Sequence, residues 1–188
     1  MIWRSLLAVV LGLVLGGGAA AWQVRSGALG NQIQLGPWTT GRDFGSAAAS
    51  PYTRAVVALR GLLALPAREA RYYNAATDSA GAPLNGRCRY RVSGAALPAK
   101  WWSLTLYDPA GYLVPNPAGV YAIGSVGLAP AEQTGWQVLI APRQQAGHWL
   151  PSGGLARFEL TLRTYLPADG GRGEPAPAAL PRIDRLGC

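Results

Sequence analysis

Three short alternating stretches put most of this chain's reactive side chains on shared faces. Arg87, Arg89 and Arg91 alternate with Cys88, Tyr90 and Val92. Trp101, Ser103, Thr105 and Tyr107 alternate with Trp102, Leu104 and Leu106, and Arg157, Glu159, Thr161, Arg163 and Tyr165 with Phe158, Leu160 and Leu162. Successive side chains of a strand point to opposite faces, so the apolar members make core faces and the polar members make the reverse side. Arginine among hydroxyls and aromatics is what a surface for a sugar, a carboxylate or a phosphate uses. Arg89, Ser103, Thr105, Tyr107, Arg163 and Tyr165 are therefore the candidate ligand-binding residues. A half-buried network in which Arg163 bonds Tyr107 or Asp108 and fixes the sheet is the competing reading of the same residues.

No residue earns a catalytic role. His148 is the only histidine, and a triad would need it beside Ser103 or Ser152 with a carboxylate behind it. Ser103 stands between Trp102 and Leu104, where a nucleophile elbow has glycines. The carboxylates that could pair for glycoside hydrolysis are Asp78, Asp108 and Glu159. Asp78 and Asp108 sit beside turns, where aspartate caps its own backbone, and Asn116 in Pro-Asn-Pro reads as a turn residue. One histidine and two distant cysteines make no metal site, and no cofactor is implied. Cys88 lies on a core face, while Cys188 ends a tail whose Leu180, Ile183 and Leu186 can lie on the domain. This predicts a disulfide between Cys88 and Cys188 if the domain is outside the cytoplasm. A buried Cys88 with an exposed Cys188 thiol is the alternative, since loop length does not prove proximity.

These faces need strands. After Pro66 the hydrophobic period is two, and strands are predicted at 69–75, 87–93, 101–107, 120–123, 136–141 and 157–165. Turn clusters such as "DSAGAPLNG", "DPAGY" and "PSGG" separate them. Many short strands with Gly/Pro turns predict a mainly β domain, an antiparallel β-sandwich over residues 50–188. One helix precedes them at about 51–65, with Ser50 as N-cap, Pro51 first, and Val56, Leu59, Leu62 and Leu63 on its apolar side. Arg54 and Arg60 fall off that stripe, and Pro66 ends it. Residues 26–49, rich in Gly, Ser, Ala and Thr, read as a tether with Trp38 as an aromatic anchor.

Residues 5–24 carry no charged side chain, and Arg4 and Arg25 flank them. About 20 apolar residues suffice for one helical bilayer crossing, so residues 1–25 read as a membrane anchor with Trp3 and Trp22 near its two interfaces. The small residues Ala19 to Ala21 leave a cleaved signal peptide as the other reading. The basic residues favour a cytoplasmic N-terminus, which puts the domain on the periplasmic side of a bacterial inner membrane under either reading. The net charge is +8, from 17 basic and 9 acidic residues, with Lys100 the sole lysine. Apart from Arg87, Arg89 and Arg91 the arginines are scattered, which argues against nucleic acid and leaves attraction to anionic lipid headgroups.

The stretches "DSAGAPLNGRCRYRV" (78–92), "LPAKWWSLTLYDPAGYLVPNPAGVYAIGS" (97–125), "HWLPSG" (148–153) and "FELTLRTYLP" (158–167) resemble, in wording, order and spacing, the bacterial family called domain of unknown function 1214. The resemblance covers residues 72–167 and implies a β-sandwich of jelly-roll type. It implies no defined activity. Members often carry a preceding companion, domain of unknown function 1254, and here the anchor and the short helix stand in that place. His148 departs from the asparagine usual there, and the cysteines are not general to the family.

The expected function is that of a single-pass, membrane-tethered extracytoplasmic module that binds an envelope component or a partner protein. A hydrolase acting on an envelope glycan or lipid-linked substrate is the alternative, and a structural subunit is the third reading.

Overall fold

The apolar run is helical. In the computed structural model, which describes residues 2–26, 32–41, 43, 45–59 and 64–188, Ile2–Ser26 is a helix (α1). Its apolar side chains, with Trp3 and Trp22, are exposed, and by length and composition it could cross a bilayer. The second helix, α2, runs Pro51–Leu59. Its start matches expectation, since Ser50 Oγ accepts a hydrogen bond from the Thr53 amide at 3.1 Å. Val56 is buried and Arg54 exposed. The predicted extension to 65 does not hold at its end, because Ala64 and Leu65 are not helical. A residue before proline is driven out of the helical region, and the Leu65 amide donates instead to Tyr72 Oη at 3.0 Å. Arg60, Leu62 and Leu63 lie outside the described residues.

The rest is mainly β. In chain order the strands are β1 (Gln32–Leu35), β2 (Trp38–Gly41), β3 (Ala70–Ala75), β4 (Arg89–Ala95), β5 (Ala99–Tyr107), β6 (Ala122–Gly124), β7 (Gly135–Ala141), β8 (Trp149–Pro151), β9 (Glu159–Pro167) and β10 (Arg182–Gly187). Among the described residues one sheet has the order β1-β2-β3-β9-β5-β6 and the other β10-β4-β7-β8. Their apolar faces contribute to one hydrophobic cluster. Trp102 of β5 stacks on Trp136 of β7 with ring centroids 4.1 Å apart, which joins the two sheets through an aromatic contact.

Two expectations are corrected here. Residues 26–49 are not merely a tether, because β1 and β2 form a hairpin on the edge of the larger sheet. Gly36, at φ 64°, opens the two-residue connection between Leu35 and Trp38, a geometry that favours glycine. Leu35 and Trp38 enter the core, and Thr40 Oγ1 donates to the Tyr72 carbonyl at 2.8 Å. The pairing is also not wholly antiparallel, since β8 runs parallel to β7. Residues 142–148 double the chain back, with Gly147 at φ 77°, and the Leu139 amide donates to the His148 carbonyl at 2.8 Å.

The C-terminal tail does lie on the domain. It forms β10, antiparallel to β4, with Ile183 fully buried, whereas Leu186, expected to lie on the domain as well, is exposed. Arg185 reaches Asp78 Oδ2 at 3.3 Å and sits 5.4 Å from the centre of the Tyr90 ring. Beyond it, Cys188 is joined to Cys88 in a disulfide with Cα atoms 3.8 Å apart.

Candidate functional site

Strand pairing decides which predicted polar residues meet. β9 lies between β3 and β5, and Ser103 is directly opposite Arg163. Arg163 Nη1 donates to Thr105 Oγ1 at 3.2 Å and Nη2 to Tyr107 Oη at 2.8 Å. The guanidinium also lies 5.5 Å from the centre of the Tyr107 ring, within cation–π range. At the next position Trp101 and Tyr165 are opposite one another and stack at 3.6 Å, 5° from parallel. Ser103, Thr105, Tyr107, Arg163 and Tyr165 thus share one face. Arg89 does not join them. It belongs to β4 of the other sheet, opposite Gly187, and is exposed. Alternation assigns a residue to a side of its own strand and says nothing of which sheet receives that strand.

Arg163 of β9 thus donates to two side chains of β5, and these bonds tie the two strands together. Replacing Arg163 with alanine is expected to cost about 1–3 kcal/mol, and Arg163→Lys, which keeps the charge but loses the planar fork, should recover only part of it. Thermal denaturation checks this, and an unchanged melting temperature for Arg163→Ala would show that the two bonds contribute nothing.

The other polar candidates have local partners. Asp78 Oδ1 accepts the Ala80 and Ala82 amides, and Asp108 Oδ1 those of Ala110 and Tyr112. Asn116 bonds the backbone of Val114 and Val120. Ser152, fully buried, donates to the Gly86 carbonyl at 2.6 Å. His148 Nε2 lies 3.1 Å from Glu132 Oε2. That contact, with the Ala129 amide, holds the Glu132 carboxyl below its ordinary value. No three His, Cys, Asp or Glu residues among the described ones could hold a metal ion together.

A site absent from the sequence reading surrounds Arg71. In β3, Arg71 is opposite Thr164 and Tyr73 opposite Leu162, so this arginine points the same way as the core residues. Its side chain is 9% exposed. Nη1 lies 3.4 Å from Glu174 Oε2 and Nη2 lies 3.7 Å from Asp169 Oδ2, both longer than a normal charge-assisted bond. Nε is buried without a hydrogen-bond partner, which for a cationic group is a costly state. Tyr73 bonds Arg71 as well. Burial pushes its phenol above the usual value, while the arginine and Thr164 pull the other way.

The loop after β9 closes this site. Desolvation raises the Asp169 carboxyl, but the amides of Gly173 and Gly171 and the Arg71 charge outweigh it and leave it below its ordinary value. Gly171 has φ 77°, and a Cβ there would come within 2.4 Å of the Ala67 backbone, so glycine lets the loop pass against residues 67–68. Arg71 borders two cavities. One, of about 410 Å3, also has Thr40, Tyr72, Arg172 and Glu174 in its wall. The other, of about 270 Å3, has Tyr73, Leu97, Pro98, Pro167 and Leu180. A signal did exist in the sequence. Arg71 alternates with Tyr73 and Ala75, which marks a cation on a core-facing side.

Comparison with known proteins places this site in context. A family model described as protein of unknown function (DUF1214) matches residues 69–169, a span that holds Arg71, Thr164 and Asp169. The chain is similar to the crystal structure of the VPA0106 protein from Vibrio parahaemolyticus, at 20% identity and a TM-score of 0.57, over 74% of this chain and 36% of that one. It also matches an uncharacterized protein from Burkholderia cenocepacia at 15% identity and a TM-score of 0.47, over 63% of this chain and 30% of that one. The chain thus spans about a third of the length of these solved structures. No curated protein matches.

Proposed function

The chain belongs to the DUF1214 family of proteins of unknown function, and from that premise we propose that it is a membrane-tethered ligand-binding module. In this reading α1 is an uncleaved single-pass anchor in a bacterial inner membrane. The two sheets form a jelly-roll β-sandwich on the periplasmic side, and an envelope component occupies the Arg71 site. The observation that carries the binding role is a nine-tenths buried arginine with an unpartnered Nε, bordering two cavities. Buried arginines are normally fully bonded, and pockets of roughly 300–1,000 Å3 with a few convergent polar groups are the usual form of small-molecule sites. The tether is supported by the exposed apolar length of α1, and the extracytoplasmic side by the Cys88–Cys188 disulfide. The hydrolase alternative has less support, because Ser152 and His148 are engaged with different partners.

Fractionation tests the tether. The protein should stay with membranes through a high-salt wash, with its first 25 residues intact, and protease added outside the inner membrane should digest the domain. A released protein beginning near Trp22 would overturn the anchor. For binding, thermal shift of the full chain against envelope glycans, lipids and phosphates should find a class that raises the melting temperature in the native protein and not in Arg71→Gln.

A further inference from the structure

The Arg71 site, taken as the binding site of the preceding reading, has walls that specify a ligand class. The two cavities that meet at Arg71 differ in character. The larger presents Thr40, Arg172 and Glu174 beside it. The smaller shares Glu174 and adds Asp169, but is otherwise mainly apolar, with Leu97, Pro98, Pro167 and Leu180. A shallower groove shares Leu97, Pro98 and Pro167 with the smaller cavity and continues to Leu166 and Lys100. Arg71 thus stands in the wall of both cavities, and the smaller carries an apolar stretch beside it.

Its two carboxylate neighbours are not equally committed. Asp169 accepts the Gly171 amide on Oδ1 and the Gly173 amide on Oδ2, each at 2.9 Å, so both its oxygens are bound into its own loop. Glu174 reaches Arg71 only at 3.4 Å, and its side chain is 24% exposed. It is therefore the partner an incoming anion would displace toward solvent. A ligand carboxylate in its place could approach to about 2.7–2.9 Å and bond the guanidinium with two oxygens. The incoming carboxylate adds a negative charge, since the displaced Glu174 stays tethered nearby, and Arg172 in the adjoining wall offsets it.

We propose that this site binds a carboxylate-headed amphiphile. Its carboxylate replaces Glu174 on Arg71, and its unbranched apolar chain lies along Leu97, Pro98, Pro167 and Leu180. A head without a chain leaves the apolar stretch uncovered, and a chain without a charged head leaves Arg71 as it is.

Calorimetric titration of octanoate into the full chain in lipid nanodiscs tests this, with empty nanodiscs correcting for partition into lipid. Saturable binding is expected. Glu174→Gln, which weakens the competitor, should tighten it at least threefold. Arg71→Gln should weaken it tenfold or more. Ala179→Trp, at an exposed position on the rim of the apolar cavity, should weaken it similarly while leaving Arg71 intact, so the test survives if Arg71→Gln fails to fold. Acetate, standing for a soluble carboxylate, and octanol, standing for an uncharged lipid fragment, should each bind at least tenfold more weakly. Octanol binding as tightly as octanoate, or Glu174→Gln weakening octanoate, would overturn the ligand class. If inorganic phosphate or maltose then gave heat that depends on Arg71, the binding role would stand without this class. If no probe did, both would fall.

Discussion

Replacing Cys188 with serine should destabilise the domain by about 2–4 kcal/mol. The disulfide closes a loop of 100 residues, for which the chain-entropy model sets a ceiling near ~4.7 kcal/mol. The bond ties the end of β10 to the start of β4, so it constrains the unfolded chain across most of the domain. Denaturant unfolding of the full chain in detergent micelles would measure the loss as a lower midpoint. The denaturant dependence should also steepen, because the unfolded state without the cross-link exposes more surface. Reduced native protein should behave as the variant does. The same midpoint with and without reductant would show that the pairing of β10 with β4 suffices. The contacts Ile183 and Arg185 make would then carry the tail.

Trp38→Ala should cost about 3–5 kcal/mol, the range for removing a large buried aromatic. Trp38 is fully buried although it lies in a Gly/Ser/Thr-rich stretch. Its Nε1 donates to the Pro181 carbonyl at 2.7 Å, 143 residues away. The side chain thus pins the β1–β2 hairpin to the segment that leads into β10. Two effects add in the alanine variant, a cavity and a carbonyl left without its donor. Trp38→Phe separates them. It retains most of the apolar volume and should cost only about 1–3 kcal/mol, the range for a buried hydrogen-bonding group left unpaired. If this region were only a linker, neither substitution would move the unfolding midpoint.

Much of the local pattern between residues 69 and 167 was legible in the sequence. Alternation located β3, β4, β5, β7 and β9 to within two residues. It also placed Tyr90, Val92, Trp102, Leu104, Leu106, Phe158, Leu160 and Leu162 in the core, where all are buried. Asp78, Asp108 and Asn116 cap turns as their neighbours implied, because such bonds span only two to four residues. The apolar run at 5–24 declared itself by length. Cys88 and Cys188 pair as the tail's apolar residues suggested.

Whatever depended on which segments become neighbours was decided only in the folded chain. Arg89 and Arg163 carry the same strand signature, yet one belongs to the smaller sheet and the other to the larger. The β1–β2 hairpin was hidden because composition outweighed the Leu-Gly-Pro-Trp turn, and the value of Trp38 lies in a contact with Pro181. Arg71 is the clearest case. Its carboxylate neighbours Asp169 and Glu174 follow it by about a hundred residues, and the cavities it borders exist only once the loop after β9 has closed on residues 67–68. Side-chain direction is set by the backbone period of each strand and is written locally. Burial of a charge, and the shape of the space around it, arise from long-range packing that no local period records.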